Sequence, residues 1–284
     1  MLSVVFGLGT ALMFATALLA NSRALRSIGD FSLLAWVMIV GLISTLPFTF
    51  AAGIPAELDA SNLMWLTLAG VGNVAGLLIA FQSMKLGKIG VIAPILATEG
   101  AIAAMLSAVM GETIAPIAAF VLMFIVAGVV VAGIAKDPAP IEHERPVLAV
   151  LFALVAATCF GTSLFAVGHL SGSLPIGWLL LPPRLVGVLV IAVPLIVMRK
   201  LELTRAAVPL VVFSGLAEVA GFTSYAIGAT QSVAVTSVLA SQFATIAAFL
   251  AFVLFKERLG RLQLTGLVML VIGVAALSLV LNAA

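Results

Sequence analysis

Charged residues are scarce in this 284-residue chain: they make up only 8% of it, against roughly a quarter in an ordinary soluble domain. Hydrophobic residues make up 64% of the sequence, and no soluble fold of this size can hide that much apolar surface. The net formal charge is only +2, and the basic residues sit in short connections rather than in patches. We therefore expect a lipid bilayer around this chain and no nucleic-acid partner.

Cysteine and histidine are almost absent as well, with one cysteine and two histidines. Cys159 lies in an apolar stretch, so no intrachain disulfide is possible and no metal-ligand spacing exists. The sequence also has no Gly-rich phosphate loop and no Ser/His or Ser/Lys pairing in adjacent apolar stretches. We expect neither metal nor cofactor, and a membrane-embedded enzyme is the least favoured of the functional classes.

Apolar residues fall in blocks about 20 long, the length at which a helix crosses a hydrocarbon core roughly 30 Å thick. The sequence therefore predicts ten membrane spans, at about 3–20, 32–52, 63–84, 89–110, 115–135, 147–168, 175–199, 206–229, 232–255 and 262–281. Small residues at Ala17–Asn21 give the first block some likeness to a cleaved signal peptide, but it lacks a positively charged start. We interpret it as the first span.

The blocks contain an internal repeat, found by shifting the sequence against itself. A shift of 145 or 146 residues aligns 70–76 with 215–221, Glu112 with Glu257, and 14–16 with 160–162. Five spans is an odd number, so two successive five-span units enter the membrane from opposite sides. The sequence predicts an inverted repeat with a first unit at 1–137, a polar linker at 138–146 and a second unit at 147–284.

Lys and Arg occupy every second connection between the predicted spans. The connections 1–2, 3–4, 5–6, 7–8 and 9–10 carry all of them except Arg184, and the alternate connections contain none. Because Lys and Arg are retained on the cytoplasmic side, we predict an inner (plasma) membrane protein whose basic connections are cytoplasmic and whose termini are both extracytoplasmic.

Gly111-Glu112 precedes span 5, and Lys256-Glu257-Arg258 precedes span 10, which contains Gly266 and Gly273. This pair of motifs resembles the repeated signature of the EamA-type, ten-span transporters of the drug/metabolite transporter superfamily. The resemblance covers nearly the whole chain. It implies an all-α integral membrane fold of two inverted five-helix repeats around a central cavity, bounded by spans 1, 3, 4, 6, 8 and 9.

The repeat is broken at Pro94, whose equivalent is Leu239, and at Arg184, whose equivalent is Met38. Pro94, together with Pro182, Pro183 and Pro194 of span 7, can kink its span and serve as a hinge, although membrane helices also tolerate proline without that role. The motifs Gly72-x-x-x-Gly76 and Ala217-x-x-x-Gly221 predict close helix contact, either as plain packing or as a sliding surface.

Three ionisable residues lie deep in predicted spans: Glu99 in span 4, Arg184 in span 7 and Glu218 in span 8. Each costs roughly 2.5–3.5 kcal/mol or more at the bilayer centre unless it is compensated. Arg184 can neutralise one carboxyl in a buried pair that only fixes packing. The other carboxyl then stays unpaired and is expected to take up a proton, which is what proton-coupled transport needs.

Helical spacing places Glu218, Phe222 and Tyr225 on one stripe and Ser237, Ser241 and Thr245 on another, beside Gln242. These hydroxyls either line a cavity or return hydrogen bonds to their own helix. Combined with the cavity that the resemblance implies, the candidate substrate- and proton-binding residues are Thr16, Asn73, Glu99, Thr162, Glu218, Tyr225, Ser241 and Gln242, with Arg184 as charge partner behind the cavity wall.

The functional hypothesis is a secondary active transporter of a small metabolite, amino acid or drug-like solute, exporting it by proton-linked alternating access. A passive channel, a facilitator or a lipid scramblase is the alternative, since a repeat alone does not exclude it. We expect a monomer or a weak homodimer, with the solute and protons as its small partners.

Overall fold

The computed structural model describes residues 1–25, 27–86, 92, 95–133, 145–255 and 261–283. Over these ranges the regular structure is helical, apart from one isolated bridge between Ser171 and Leu174. The helices are α1 Leu2–Ala24, α2 Asp30–Ala52, α3 Ala60–Leu86, α4 Glu99–Val109, α5 Pro116–Gly133, α6 Pro146–Leu170, α7 Ile176–Gly187, α8 Val193–Val197, α9 Val208–Ala229, α10 Val233–Ala240, α11 Phe243–Phe255 and α12 Arg261–Ala283.

Six stretches are long and apolar enough to cross a membrane: α1, α2, α3, α6, α9 and the run Ile176–Val197. Shorter apolar stretches of the described chain lie at Glu99–Val109, Pro116–Gly128, Val233–Ala247 and Leu264–Leu277. Hydrocarbon offers no partner to backbone N–H and C=O groups, so long apolar stretches satisfy them internally as helices. The predicted all-α membrane fold is confirmed, whereas the count of ten spans stays a prediction.

Two of the predicted spans are interrupted rather than continuous. A turn at Ala97–Thr98 precedes α4, and a turn at Ser241–Gln242 separates α10 from α11. At each turn a side chain bonds the carbonyl three residues back: Thr98 Oγ1 donates to that of Ile95 at 2.7 Å, and Ser241 Oγ donates to that of Val238 at 2.9 Å. Such side-chain bonds compete with the helical pattern. The repeat offset of 145 residues brings the two breaks within one residue of each other.

The prolines of span 7 lie near a change of helix type. Pro182 and Pro183 are inside α7, and a π-helical turn at Val188–Ala192 joins α7 to α8, in which Pro194 is the second residue. Proline cannot donate to the helical ladder, and π-helical turns accommodate local irregularity in it. Pro94, the hinge candidate of span 4, lies outside the described residues.

Helix packing pairs elements of the first half with elements of the second. The largest contacts are α3 with α6 and α1 with α9, followed by α5 with α12. Exchanging the two predicted units turns the first of these pairs into the second and leaves the third unchanged. α4 packs on α6 and on α10, so the helix that begins at Glu99 contacts two helices of the second half.

The small-residue motifs lie at these contacts. A Cβ added at Gly72 would come within 3.0 Å of the backbone oxygen of Cys159, and one at Gly76 within 2.7 Å of the Phe160 ring. In the second half, a Cβ at Gly221 would come within 2.5 Å of the Phe14 ring. The motifs therefore bring helix backbones close together, as small residues do in lipid.

Gly72→Leu is expected to lower the free energy of unfolding by about 1–3 kcal/mol, the usual cost of overpacking a tight contact. The backbone oxygen of Cys159 cannot rotate away as a side chain can. Thermal unfolding in detergent measures the effect. Val71→Leu, at an exposed neighbour on the same helix, is the matched control and should change little. Equal stability of the two variants would contradict close packing at Gly72.

Candidate functional site

A buried ion pair joins two of the three deep ionisable residues. Arg184 Nη1 donates to Glu218 Oε2 at 2.7 Å, so α7 and α9 are linked by a charge-assisted hydrogen bond. Arg184 is 1% exposed, whereas the Glu218 side chain is 21% exposed. The guanidinium therefore lies behind the carboxylate, and the carboxylate is the member of the pair that reaches accessible space.

The surroundings of Arg184 are otherwise apolar. Its Nη1 lies 3.5 Å from the sulfur of Met38, and its guanidinium carbon lies 5.3 Å from the centre of the Phe222 ring. A Cβ at Gly41 would come within 2.8 Å of Arg184 Cδ, so the glycine makes room for the stem of this side chain. Arg184 Nη2 is buried without a hydrogen-bond partner among the described residues. Glu218 is thus the group that compensates this charge.

Glu99 differs from Glu218 in having no cation beside it among the described residues. No hydrogen bond or ion pair reaches its carboxyl from the part of the chain that the structure describes, and its side chain is half-buried. The residue begins α4 directly after the break at Ala97–Thr98. Because an acidic group at a helix N-terminus interacts favourably with the helix dipole, this start suits a carboxylate.

Two glycines bring neighbouring helices against Glu99. A Cβ at Gly161 of α6 would lie 2.7 Å from the backbone oxygen of Glu99, and one at Gly100 would lie 2.7 Å from Ser241 Oγ. The breaks of spans 4 and 9 are therefore in direct contact. Among the predicted site residues, the structure places Ser241 against Gly100, the residue that follows Glu99, and joins Arg184 and Glu218 in the ion pair.

Tyr225 lies further along α9 and is fully buried. Its hydroxyl donates to the carbonyl of Leu164 at 2.8 Å and shares a 2.7 Å hydrogen bond with Ser237 Oγ. It therefore links α9 to α6 and α10. A solute cannot reach this hydroxyl in the present conformation, so Tyr225 is a packing residue in this state of the protein.

The remaining predicted site residues have local partners or none that the structure describes. Thr16 Oγ1 donates to the carbonyl of Met13, and Thr162 Oγ1 donates to that of Thr158. Gln242 Nε2 donates to Val238, while its Oε1 is buried without a partner in the described chain. Asn73 is buried on α3. Both threonine hydroxyls thus donate to their own helix, which is the second of the two alternatives given by the sequence.

Glu112 makes contacts that the sequence did not predict. Its carboxylate accepts hydrogen bonds from the hydroxyls of Ser107 and Ser232 and from the backbone N–H of Ala234, the second residue of α10. Glu112 therefore caps α10, whose N-cap residue Ser232 lies 120 residues away in the sequence. Arg258 and Glu257 lie outside the described residues.

A pocket of about 270 Å³ adjoins Glu112, and Ser107, Phe165, His169, Gln231 and Ser232 are among the residues lining it. His169 lies against two rings, 5.0 Å from the centre of Trp65 and 5.6 Å from that of Phe165. No group of three or more His, Cys, Asp or Glu residues that could hold a metal ion occurs within the described ranges.

Comparison with known proteins gives one family and one fold. The model of the EamA-like transporter family matches residues 1–134 and 147–279. A solved structure titled "Crystal structure of protein" superposes with a TM-score of 0.80 at 18% identity, over 98% of this chain and 96% of the other. At that identity the likeness shows the fold alone. No curated protein sequence matches the chain.

Proposed function

Because this chain belongs to the EamA-like transporter family, we propose that it is a secondary active transporter that moves a small solute across the inner membrane by alternating access. The family makes it a multi-pass membrane transporter of the drug/metabolite transporter superfamily. Proton coupling, outward transport and the class of solute are parts of the proposal. So are the two five-helix units at 1–137 and 147–284, which the exchange symmetry of the helix contacts supports.

The unpaired carboxyl of Glu99 is the observation that carries the proposal. Arg184 and Glu218 neutralise each other at 2.7 Å, so their pair has little net charge to offer a ligand. Glu99 keeps its carboxyl free among the described residues, at a helix break in the interior. An ionisable group inside a membrane protein that is not consumed by a structural pair is a functional candidate. We assign to Glu99 the binding of a proton or of a cationic group of the solute.

The two helix breaks support a central binding site between the halves. Discontinuous helices near the midplane are the usual framework of solute sites in transporters, because the start of each half-helix presents unbonded N–H groups. One start carries the carboxyl of Glu99, and the other has Ala244 at the equivalent position. One side of the site therefore suits an ammonium group and the other suits a carboxylate. This combination favours a zwitterionic solute such as an amino acid over a simple cation or anion.

Solute exchange in proteoliposomes tests the proposal. Thermal-shift measurements with amino acids and organic amines first select a solute that stabilises the purified protein, because a ligand of the folded state raises its apparent stability. The selected solute, radiolabelled and outside the vesicles, should then accumulate by counterflow against an unlabelled internal pool and saturate with concentration. Linear, non-saturating flux without counterflow would indicate a channel and would contradict a carrier.

A further inference from the structure

The outer end is the end of the molecule that holds the connections 53–59, 110–115, 171–175 and 230–232. These connections contain no Lys or Arg. Glu112 lies at this end and accepts hydrogen bonds from both halves of the chain. Ser107 donates from its own half, and Ser232 and the N–H of Ala234 donate from the other half. The Ser232 contact is 2.5 Å and the Ala234 contact is 3.2 Å.

Hydrogen bonds to a carboxylate are roughly twice as strong as those between neutral groups. The three donors converge on one side chain, which lies half-buried beside the pocket lined by His169 and Gln231. The start of α10 also adds the favourable end of a helix dipole. Glu112 therefore fastens the turn after α4 to the start of α10, and separating these elements requires all of these bonds to break together.

A second, fully buried contact lies beneath this one. Tyr225 joins α9 to Leu164 of α6 and to Ser237 of α10, and both Tyr225 and Ser237 are 0% exposed. Beyond it, Gly100 and Ser241 bring the two helix breaks together beside Glu99. The two contacts therefore stand in series between the outer end and the central carboxyl.

Exposure along α9 indicates which end is shut. Glu218 is half-buried, and Phe222 and Tyr225, which follow it on the same stripe toward the outer end, are buried. Accessibility along this stripe is therefore lost between Glu218 and the outer end.

The sequence of the repeat does not carry these side chains over to the opposite end. Glu257 is the equivalent of Glu112, but the residues aligned with its hydroxyl partners carry no hydroxyl. The equivalents at an offset of 145 are Phe252 for Ser107, Gly87 for Ser232, Ala80 for Tyr225 and Ile92 for Ser237. The hydroxyl groups that form the closure thus occur in only one copy of the repeated sequence.

We propose that Glu112 is the gate residue of the outer end: its bonds to Ser107, Ser232 and α10 hold that end closed, and they break whenever the central site opens to it. Glu112 acts through the position of α10 and contacts no solute. Its place in a transport cycle rests on the proposed transporter function, whereas the closure itself is a property of the folded chain that can be measured without any solute.

Cysteine labelling tests the gate. In a Cys159→Ala background, Ser237→Cys places a reporter thiol behind Glu112, and Gln231→Cys places one at the exposed rim of the same end. A membrane-impermeant methanethiosulfonate reagent is added to vesicles that contain the protein. Labelling of the thiol at position 231 shows whether the outer end faces the reagent. Glu112→Gln should raise the labelling rate at position 237 at least about tenfold, as expected when one hydrogen bond to a charged group is lost, while the rate at position 231 stays unchanged.

A third reporter separates gating from general loosening. Ser83→Cys lies at the other end, where Ser83 Oγ is buried and donates to the carbonyl of Ala149. Its labelling should not respond to Glu112→Gln. If the rates at positions 83 and 237 rise together, Glu112 is a general stabilising residue and the gate is overturned, as it is if position 237 does not respond.

A milder variant keeps the test valid if Glu112→Gln does not fold. Ser107→Ala removes one donor to Glu112 and leaves the carboxylate in place, so the rate at position 237 should rise by less than in Glu112→Gln. No rise in either variant would contradict the gate even if solute transport is established. A selective rise at position 237 without any detectable transport would support the closure. The proposed transporter function would then be contradicted by the transport test alone.

Discussion

Glu99→Gln should abolish solute movement driven by a pH gradient while leaving the protein folded. The amide matches the carboxyl in size but can neither take up nor release a proton. No described residue pairs with Glu99, so the substitution breaks no ion pair in the described chain. Its effect on the free energy of unfolding should therefore stay within about 1 kcal/mol.

The measurement uses proteoliposomes with an imposed pH gradient and the solute selected by thermal shift. Glu99→Gln should reduce gradient-driven accumulation to the level of protein-free liposomes, while counterflow at equal pH persists if the solute still binds. Glu57→Gln is the matched control, because it makes the same chemical change at an exposed connection. Normal accumulation with unchanged pH dependence in Glu99→Gln would contradict the assignment of the coupling carboxyl to this residue.

The helices of this fold were predictable from the sequence because lipid imposes a simple rule. A chain segment in hydrocarbon must satisfy its own backbone groups, so a long apolar stretch becomes a helix. The predicted spans at 32–52 and 147–168 accordingly correspond to α2 at Asp30–Ala52 and α6 at Pro146–Leu170. The close contacts at Gly72 and Gly221 follow from side-chain size alone and were predictable for the same reason.

The helix breaks were not predictable in the same way. A hydropathy window averages about 20 residues, so two polar residues in an apolar block do not interrupt the signal. The turns at Ala97–Thr98 and Ser241–Gln242 carry local side-chain hydrogen bonds, such as that from Ser241 to Val238, which a hydropathy average does not register. The repeat gave no signal either, because it aligns Thr98 with apolar Phe243 and the pair Ser241-Gln242 with apolar Leu96-Ala97.

Pairing between distant residues was the other limit. The sequence offers Glu99 and Glu218 as equal partners for Arg184, and only the packing of α7 on α9 selects Glu218. Glu112 and Ser232 are 120 residues apart, with no periodic pattern to connect them. Gly87, the repeat equivalent of Ser232, has no hydroxyl, so the sequence does show this difference between the halves. The difference becomes informative only once the structure shows that Ser232 bonds to Glu112.

Removing one member of the Arg184–Glu218 pair should destabilise the protein far more than removing both. Glu218→Gln leaves a guanidinium that is 1% exposed beside Met38 and Phe222, with no carboxylate to compensate it. Breaking a buried pair in this way costs about 3–5 kcal/mol. Arg184→Met should cost less, since the Glu218 side chain is 21% exposed and reaches accessible space on its own.

The double variant Arg184→Met with Glu218→Gln should recover most of this loss, to within about 1–2 kcal/mol of the parent, because a buried ion pair contributes little once its desolvation is counted. Thermal unfolding of all four proteins in one detergent gives the coupling between the two sites. Arg205→Met, at an exposed arginine, is the matched control for loss of the charge alone and should change little. If Glu218→Gln is as stable as the parent, Arg184 does not depend on this carboxylate. Glu218, rather than Glu99, would then be the carboxyl that is free to bind the transported proton.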